Sequence, residues 1–149
     1  MLASILLGTC TSSHKENMLF TMLPSSQTGI HFINDLHDSD SSHSFINEFG
    51  YMGAGVGIGD FNNDGLKDIF FTGNQVSCRL YINKGDFRFD DITSSAGLTT
   101  NVWCTGVSIV DINQDGFDDI YICVFGKDLI TPTKNLLFIN QQDLTFKEA

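Results

Sequence analysis

Residues 55–70 read GVGIGDFNNDGLKDIF, and residues 106–121 read GVSIVDINQDGFDDIY, so one pattern returns after 51 residues. Nine of the sixteen positions are identical, and these include Asp60 with Asp111, Asn62 with Asn113, Asp64 with Asp115 and Asp68 with Asp119. A second block follows each: Leu80-Tyr81-Ile82-Asn83 with Asp86 and Phe89, then Leu137-Phe138-Ile139-Asn140 with Asp143 and Phe146, at an offset of 57. The six extra residues require an insertion between the blocks of the second unit, and residues 126–134, with Pro132, are the expected loop. Internal repetition at this period constrains the fold more than any other feature. A short unit cannot bury its apolar faces alone, so successive copies must stack on one another.

Within each unit, short runs of Val, Ile, Phe and Tyr are bounded by Gly, Asn and Asp, the signature of strands. Ile69-Phe70-Phe71, Ile120-Tyr121-Ile122 and residues 79–83 and 136–140 are the candidates, with Gly85-Asp86 turning a hairpin between residues 80–83 and 87–90. No eleven-residue window in the repeat region keeps a helical apolar stripe free of glycine. The expected fold class is all-β, with units of about fifty residues and four strands each, the size of propeller blades. Two such units, residues 46–97 and 98–149, make an incomplete propeller fragment, ending in a segment (residues 144–149) that matches residues 87–92 without a closing turn. Residues 11–45 read as an irregular lead-in that contributes a strand around residues 29–33.

Each repeat carries an acidic loop. Asp60, Asn62, Asp64 and Asp68 place oxygen-bearing side chains at positions 1, 3, 5 and 9 with Gly65 at 6, and Asp111, Asn113, Asp115, Asp119 and Gly116 repeat the arrangement. Calcium takes six to eight oxygens, alternate residues of a curled loop converge on it, and the position-7 carbonyls of Leu66 and Phe117 would add one more. The donor set contains no Cys or His, which disfavours zinc and copper. Position 12, where an EF-hand needs a bidentate Glu, is Phe71 or Ile122, and the flanks read as strands rather than helices. The competing reading is a pair of metal-free turns, since Asn, Asp and Gly favour turns in any case. Two copies that each crowd three Asp carboxylates weigh against it, because like charges without a counterion repel. Two structural calcium ions, one per loop, are therefore expected.

The chain has 149 residues, 18 Asp and Glu against 8 Lys and Arg, and a formal charge of −10. That balance excludes a phosphate backbone as partner, which needs clustered cations. The acidic groups are concentrated, with Asp118 adding to the second loop, and two divalent ions would bring the net charge to roughly −6. Residues 1–10, ending Leu6-Leu7-Gly8-Thr9-Cys10, read as a truncated lipoprotein-like signal with lipidation at Cys10, although Thr9 is unusual there and no basic residue precedes the apolar run. The competing reading is a buried strand or helix turn. Cys78, Cys104 and Cys123 fit neither a zinc spacing nor C-x-x-C, and with Cys10 lipidated the remaining three cannot all pair. His14, His31, His37 and His43 have no ligand-like spacing and read as surface residues. There is no G-x-S-x-G, phosphate loop or H-E-x-x-H.

Phe49-Gly50-Tyr51, followed by Gly53-Ala54-Gly55 and the loop to Ile69, resembles an FG-GAP/VCBS repeat, the unit of integrin α-subunit propellers and of many bacterial exported proteins. The resemblance covers about residues 46–149 and implies a calcium site between two strands of each blade. The implied ligands are Asp60, Asn62, Asp64, Leu66 and Asp68 in one site, and Asp111, Asn113, Asp115, Phe117 and Asp119 in the other. Thr72-Gly73-Asn74 stands where integrin repeats have Gly-Ala-Pro, which looks closer to bacterial proteins whose repeats precede an ASPIC/UnbV-type domain. The resulting expectation is a non-catalytic, calcium-binding propeller scaffold or binding module of the bacterial cell envelope. It would be exported and lipid-anchored, bind a protein or glycan, and continue into further blades downstream. The alternative is the front of a larger exported enzyme acting on polysaccharide or a similar substrate.

Overall fold

A computed structural model describes residues 19–40, 51–126 and 133–149. The expectations for Cys10 and its apolar run, for His14 and His43, for Phe49-Gly50 and for most of the inserted loop lie outside the described residues. Among the described residues, eight strands form two four-stranded antiparallel sheets, each a simple meander. Strands β1 (Val56–Gly59), β2 (Asp68–Phe71), β3 (Arg79–Asn83) and β4 (Phe89–Asp91) make the first. Strands β5 (Cys104–Val110), β6 (Asp119–Val124), β7 (Leu136–Asn140) and β8 (Phe146–Glu148) make the second. Each acidic loop joins the first two strands of its sheet, where the repeat places it. One helical turn, α1 (Ser25–Thr28), is the only helix among the described residues, and no described helix is long and apolar enough to cross a membrane.

Register decides which side chains meet. Gly57 pairs with Phe70 and Phe70 with Leu80, so these three share one face, and Ile82 joins them two residues along β3. On the second sheet Val107 pairs with Ile122, Ile109 with Ile120, and Ile120 with Phe138. These two faces pack together, and Phe70, Leu80, Ile82, Ile120 and Ile122 are fully buried in one cluster with Phe61, Ala96 and Leu98. Each large apolar side chain removed from water there contributes about 1.5–3 kcal/mol. Close approach depends on glycine: a Cβ at Gly57 would stand 2.6 Å from Ile109 Cγ1, and one at Gly55 would stand 3.0 Å from the Gly106 backbone. The front face of each sheet is bulky, and the back face of the first offers its neighbour a glycine strand, Gly55, Gly57 and Gly59, where the second sheet has Gly106, Ser108 and Val110.

Two local expectations are corrected. Strand β4 begins at Phe89 rather than residue 87, because Gly85, Asp86 and Phe87 all have positive φ (82, 51 and 55°) and coil into the turn. Lys84 N–H donates to the Arg88 carbonyl (2.7 Å) and Arg88 N–H to that of Gly85 (3.0 Å), which lengthens the loop beyond Gly85-Asp86. Residues 29–33 make no strand. The lead-in is instead held by side chains: His31 N–H donates to the Tyr81 hydroxyl (3.3 Å), Asn74 N–H to Asn34 Oδ1 (3.0 Å), and Phe32 stacks on Phe71 at 4.9 Å. It thus covers part of the front face of the first sheet. His31 and His37 lie in this segment, and exposed His37 stands 3.3 Å from Asp35.

Candidate metal centre

In the first loop, Asp60 accepts from two backbone amides, Asp64 N–H at Oδ1 (3.0 Å) and Gly65 N–H at Oδ2 (2.9 Å). Asp64 Oδ1 accepts from Leu66 N–H (2.8 Å) and its Oδ2 from Asn62 Nδ2 (2.8 Å), while Asn62 Oδ1 accepts from Asp64 N–H (3.2 Å). Positive φ at Asn63 (56°) and Gly65 (85°) gives the curl that lets alternate side chains face inward. The second loop repeats every contact. Asp111 accepts from Asp115 (3.1 Å) and Gly116 (2.8 Å), Asp115 from Phe117 (2.9 Å) and Asn113 (3.0 Å), and Asn113 from Asp115 (3.1 Å). Gln114 and Gly116 take the positive φ values, 63 and 89°.

Asp68 and Asp119, the position-9 residues, are fully buried and act as clips. Asp68 accepts from Phe61 N–H (2.9 Å) and Asn83 N–H (2.8 Å), and Asp119 from Ile112 N–H (3.1 Å) and Asn140 N–H (2.8 Å). Each ties the start of its loop to the end of the third strand of its sheet. The Asn of the second repeated block is thus part of the loop's support. Its recurrence at offset 57 was the available signal, but a strand-end Asn alone does not announce its partner.

Electrostatics separate the carboxylates. Asp64 is held below the ordinary 3.8 by the Leu66 amide and then by Asn62, and Asp115 chiefly by the Phe117 amide. Asp68 is pushed upward, first by burial and further by the charges of Asp64 and Asp60, against the pull of the Asn83 and Phe61 amides. The three acids of the first loop are therefore near enough to feel one another.

The two loops lie side by side. Asp118, where the first repeat has Lys67, accepts from Asp60 N–H (3.0 Å), and Asn63 Nδ2 donates to the Gly116 carbonyl (2.9 Å). Asn140 Nδ2 donates to the carbonyls of Phe61 (2.9 Å) and Asp118 (3.2 Å). Sequence reasoning placed Asp118 in an acidic stretch but not across the seam, because repeat alignment reveals what the copies share rather than where they differ.

The donors fit a hard cation in kind: ionised Asp and amide oxygen only, on a curled loop. As they stand, no three Asp, Glu, His or Cys groups among the described residues are gathered as a cage. Backbone amides partner Asp60 and Asp64 within the loop, and each carboxylate retains lone pairs beyond the bonds it accepts.

Comparison with known proteins agrees with this architecture. Residues 39–122, more than half of the chain, match the FG-GAP-like repeat family. Cartilage acidic protein 1 of Xenopus tropicalis is 39% identical over 70 residues, which cover 46% of this chain and 11% of that protein. The chain thus spans about a tenth of that relative's length. With two matching meanders joined at a glycine-lined seam, and the family pattern running through both acidic loops, the chain belongs to the FG-GAP-like repeat family.

Proposed function

We propose that the chain is a calcium-stabilised part of a β-propeller scaffold that binds a protein or glycan, rather than a catalytic unit. One observation carries the calcium reading: two loops 51 residues apart hold the same three oxygen-bearing side chains in the same set of amide bonds. Asp60, Asn62, Asp64 and the Leu66 carbonyl would hold one ion with Asp68, and Asp111, Asn113, Asp115 and the Phe117 carbonyl the other with Asp119. Calcium bound there neutralises crowded carboxylates and fixes the loop; these residues transfer no proton and attack no bond. At tenfold excess over Kd, one site adds about 1.4 kcal/mol of stability. Its role is accordingly structural.

The seam supports continuation into further blades. Val107 and Ile109 of β5 pack on the glycine strand β1, and their repeat counterparts on β1 itself, Val56 and Ile58, are 58 and 60% exposed. In a closed ring the last of the downstream blades, with small residues at the equivalent places, would cover them as β1 covers β5. Export and lipid attachment at Cys10 of a bacterial cell-envelope protein complete the reading, supported by the small-residue run before that cysteine.

Titration calorimetry of the chelator-stripped chain tests the calcium sites. Two sites are expected, with Asp64→Ala and Asp115→Ala each removing one and zinc a poor substitute. A flat titration of folded protein would end this reading. Fatty-acid labelling of cells, lost in Cys10→Ser, tests the anchor; equal labelling of both would refute it.

A further inference from the structure

Cys78 directly precedes β3 and Cys104 opens β5, so the two come from different sheets. Both are fully buried in the cluster that fills the seam. Gly73 clasps them: its carbonyl accepts from Cys104 N–H at 3.0 Å, and its own N–H supports the Cys78 sulfur. Thr100 does the same from the connection between the sheets, accepting from Cys78 N–H at 3.0 Å while its hydroxyl serves both thiols. The Cys104 thiol stands 3.5 Å from the Val102 carbonyl, and the two thiols are near enough that each is the largest influence on the other's titration. The repeat does not account for this. At the offsets of 57 and 51 the counterparts are Asn135 and Gly53, so the sulfur pair belongs to this seam and not to the blade unit.

We propose that Cys78 and Cys104 form a redox pair that closes to a disulfide across the seam, with a low-molecular-weight disulfide such as oxidised glutathione as the oxidant. The Cys78 thiolate attacks one glutathione sulfur, the glutathione S–S bond breaks, and one glutathione leaves as thiolate and takes up a proton. Cys104, giving up its proton, then attacks the Cys78 sulfur of the mixed disulfide and expels the second glutathione. Two protein thiols are oxidised and one glutathione disulfide is reduced to two thiols. In the folded chain the neighbouring Cys104 draws Cys78 down to about 6, while Cys104 is itself pushed upward, first by Cys78 and then by burial. Burial confines exchange to folding or to local opening of the seam, and shields the finished bond from reductant. Cys123 pairs with Gly106 on the opposite face of the second sheet and is exposed, so it is an internal control.

The test refolds the full chain in a mixture of oxidised and reduced glutathione, quenches with acid, alkylates the unfolded protein and maps its peptides. A Cys78–Cys104 linked peptide with Cys123 alkylated is expected, needing no substitution to read. The melting midpoint should stand on the order of 10 °C above that of the dithiothreitol-treated chain, from closing a loop of about 25 residues. Cys123→Ser should keep this difference and Cys78→Ser lose it. Full alkylation of both Cys78 and Cys104 after oxidative refolding, or a dithiothreitol effect that persists in Cys78→Ser, would overturn the proposal.

Discussion

At the residue scale, the seam is set by what is missing from side chains. A Cβ at Gly57 would fall 2.6 Å from Ile109 Cγ1 and 2.8 Å from its Cδ1, with Val107 behind. Gly57→Val should therefore destabilise the chain by about 1–3 kcal/mol, since overpacking must push the sheets apart. Urea unfolding measures it; an unchanged midpoint would mean that the seam is looser than described. Asp68 poses the opposite problem, a buried carboxylate with both oxygens on backbone amides. Asp68→Asn keeps the shape but offers one acceptor oxygen, so one of those amides is orphaned at a cost of about 1–3 kcal/mol. The same measurement reads this loss, and wild-type stability in the variant would refute the clip.

At the element scale, the two loops are the same structure made twice, and their acids titrate in opposing directions. Asp64, Asp115 and Asp143 lie below 3.8 in the folded chain, so what they contribute is complete above that pH and lost as pH falls through their depressed values. Asp68, raised by burial, favours the folded state below 3.8 and loses that contribution as pH rises through its folded value. Three exposed losses against one buried gain predict, for the chelated protein, a melting temperature that drops below pH 4. A midpoint rising steadily into acid would show that Asp68 dominates instead.

Much of this level was legible in the sequence. Strands β3 and β7 fall on residues 79–83 and 136–140 as the repeat indicated, because short β-branched and aromatic runs between turn residues have few other uses. The lead-in was not legible as it is. Residues 29–33 have a strand-like composition but are held by Tyr81 and Phe71, with Asn74 on the adjacent Asn34, and tertiary partners of that kind leave no periodic trace. The pairing of loops through Asp118 and Asn63 was hidden for a related reason, since it depends on how one copy docks on the next.

At the scale of the whole molecule, two sheets have one shared interface and two outer faces. On the outer face of the first, Val56 and Ile58 remain open although the lead-in covers Phe71. A stacked array exposes such a face only at its ends. The isolated chain is therefore expected to self-associate in sedimentation velocity or to melt with low cooperativity, and Ile58→Glu should shift it toward monomer without lowering its melting temperature, because the replaced side chain is 60% exposed. A wild-type chain already monomeric, with one sharp transition, would show that the face needs no cover.

Two calcium ions, one in each repeated acidic loop, are the proposal on which the structural role rests. The most direct measurement is crystallographic: crystals of the chain grown in calcium, with anomalous scattering used to locate the ions. Two peaks are expected, one within about 2.3–2.6 Å of oxygens of Asp60, Asn62 and Asp64, the other equally close to Asp111, Asn113 and Asp115. Saturating calcium with no anomalous peak at either loop would contradict it.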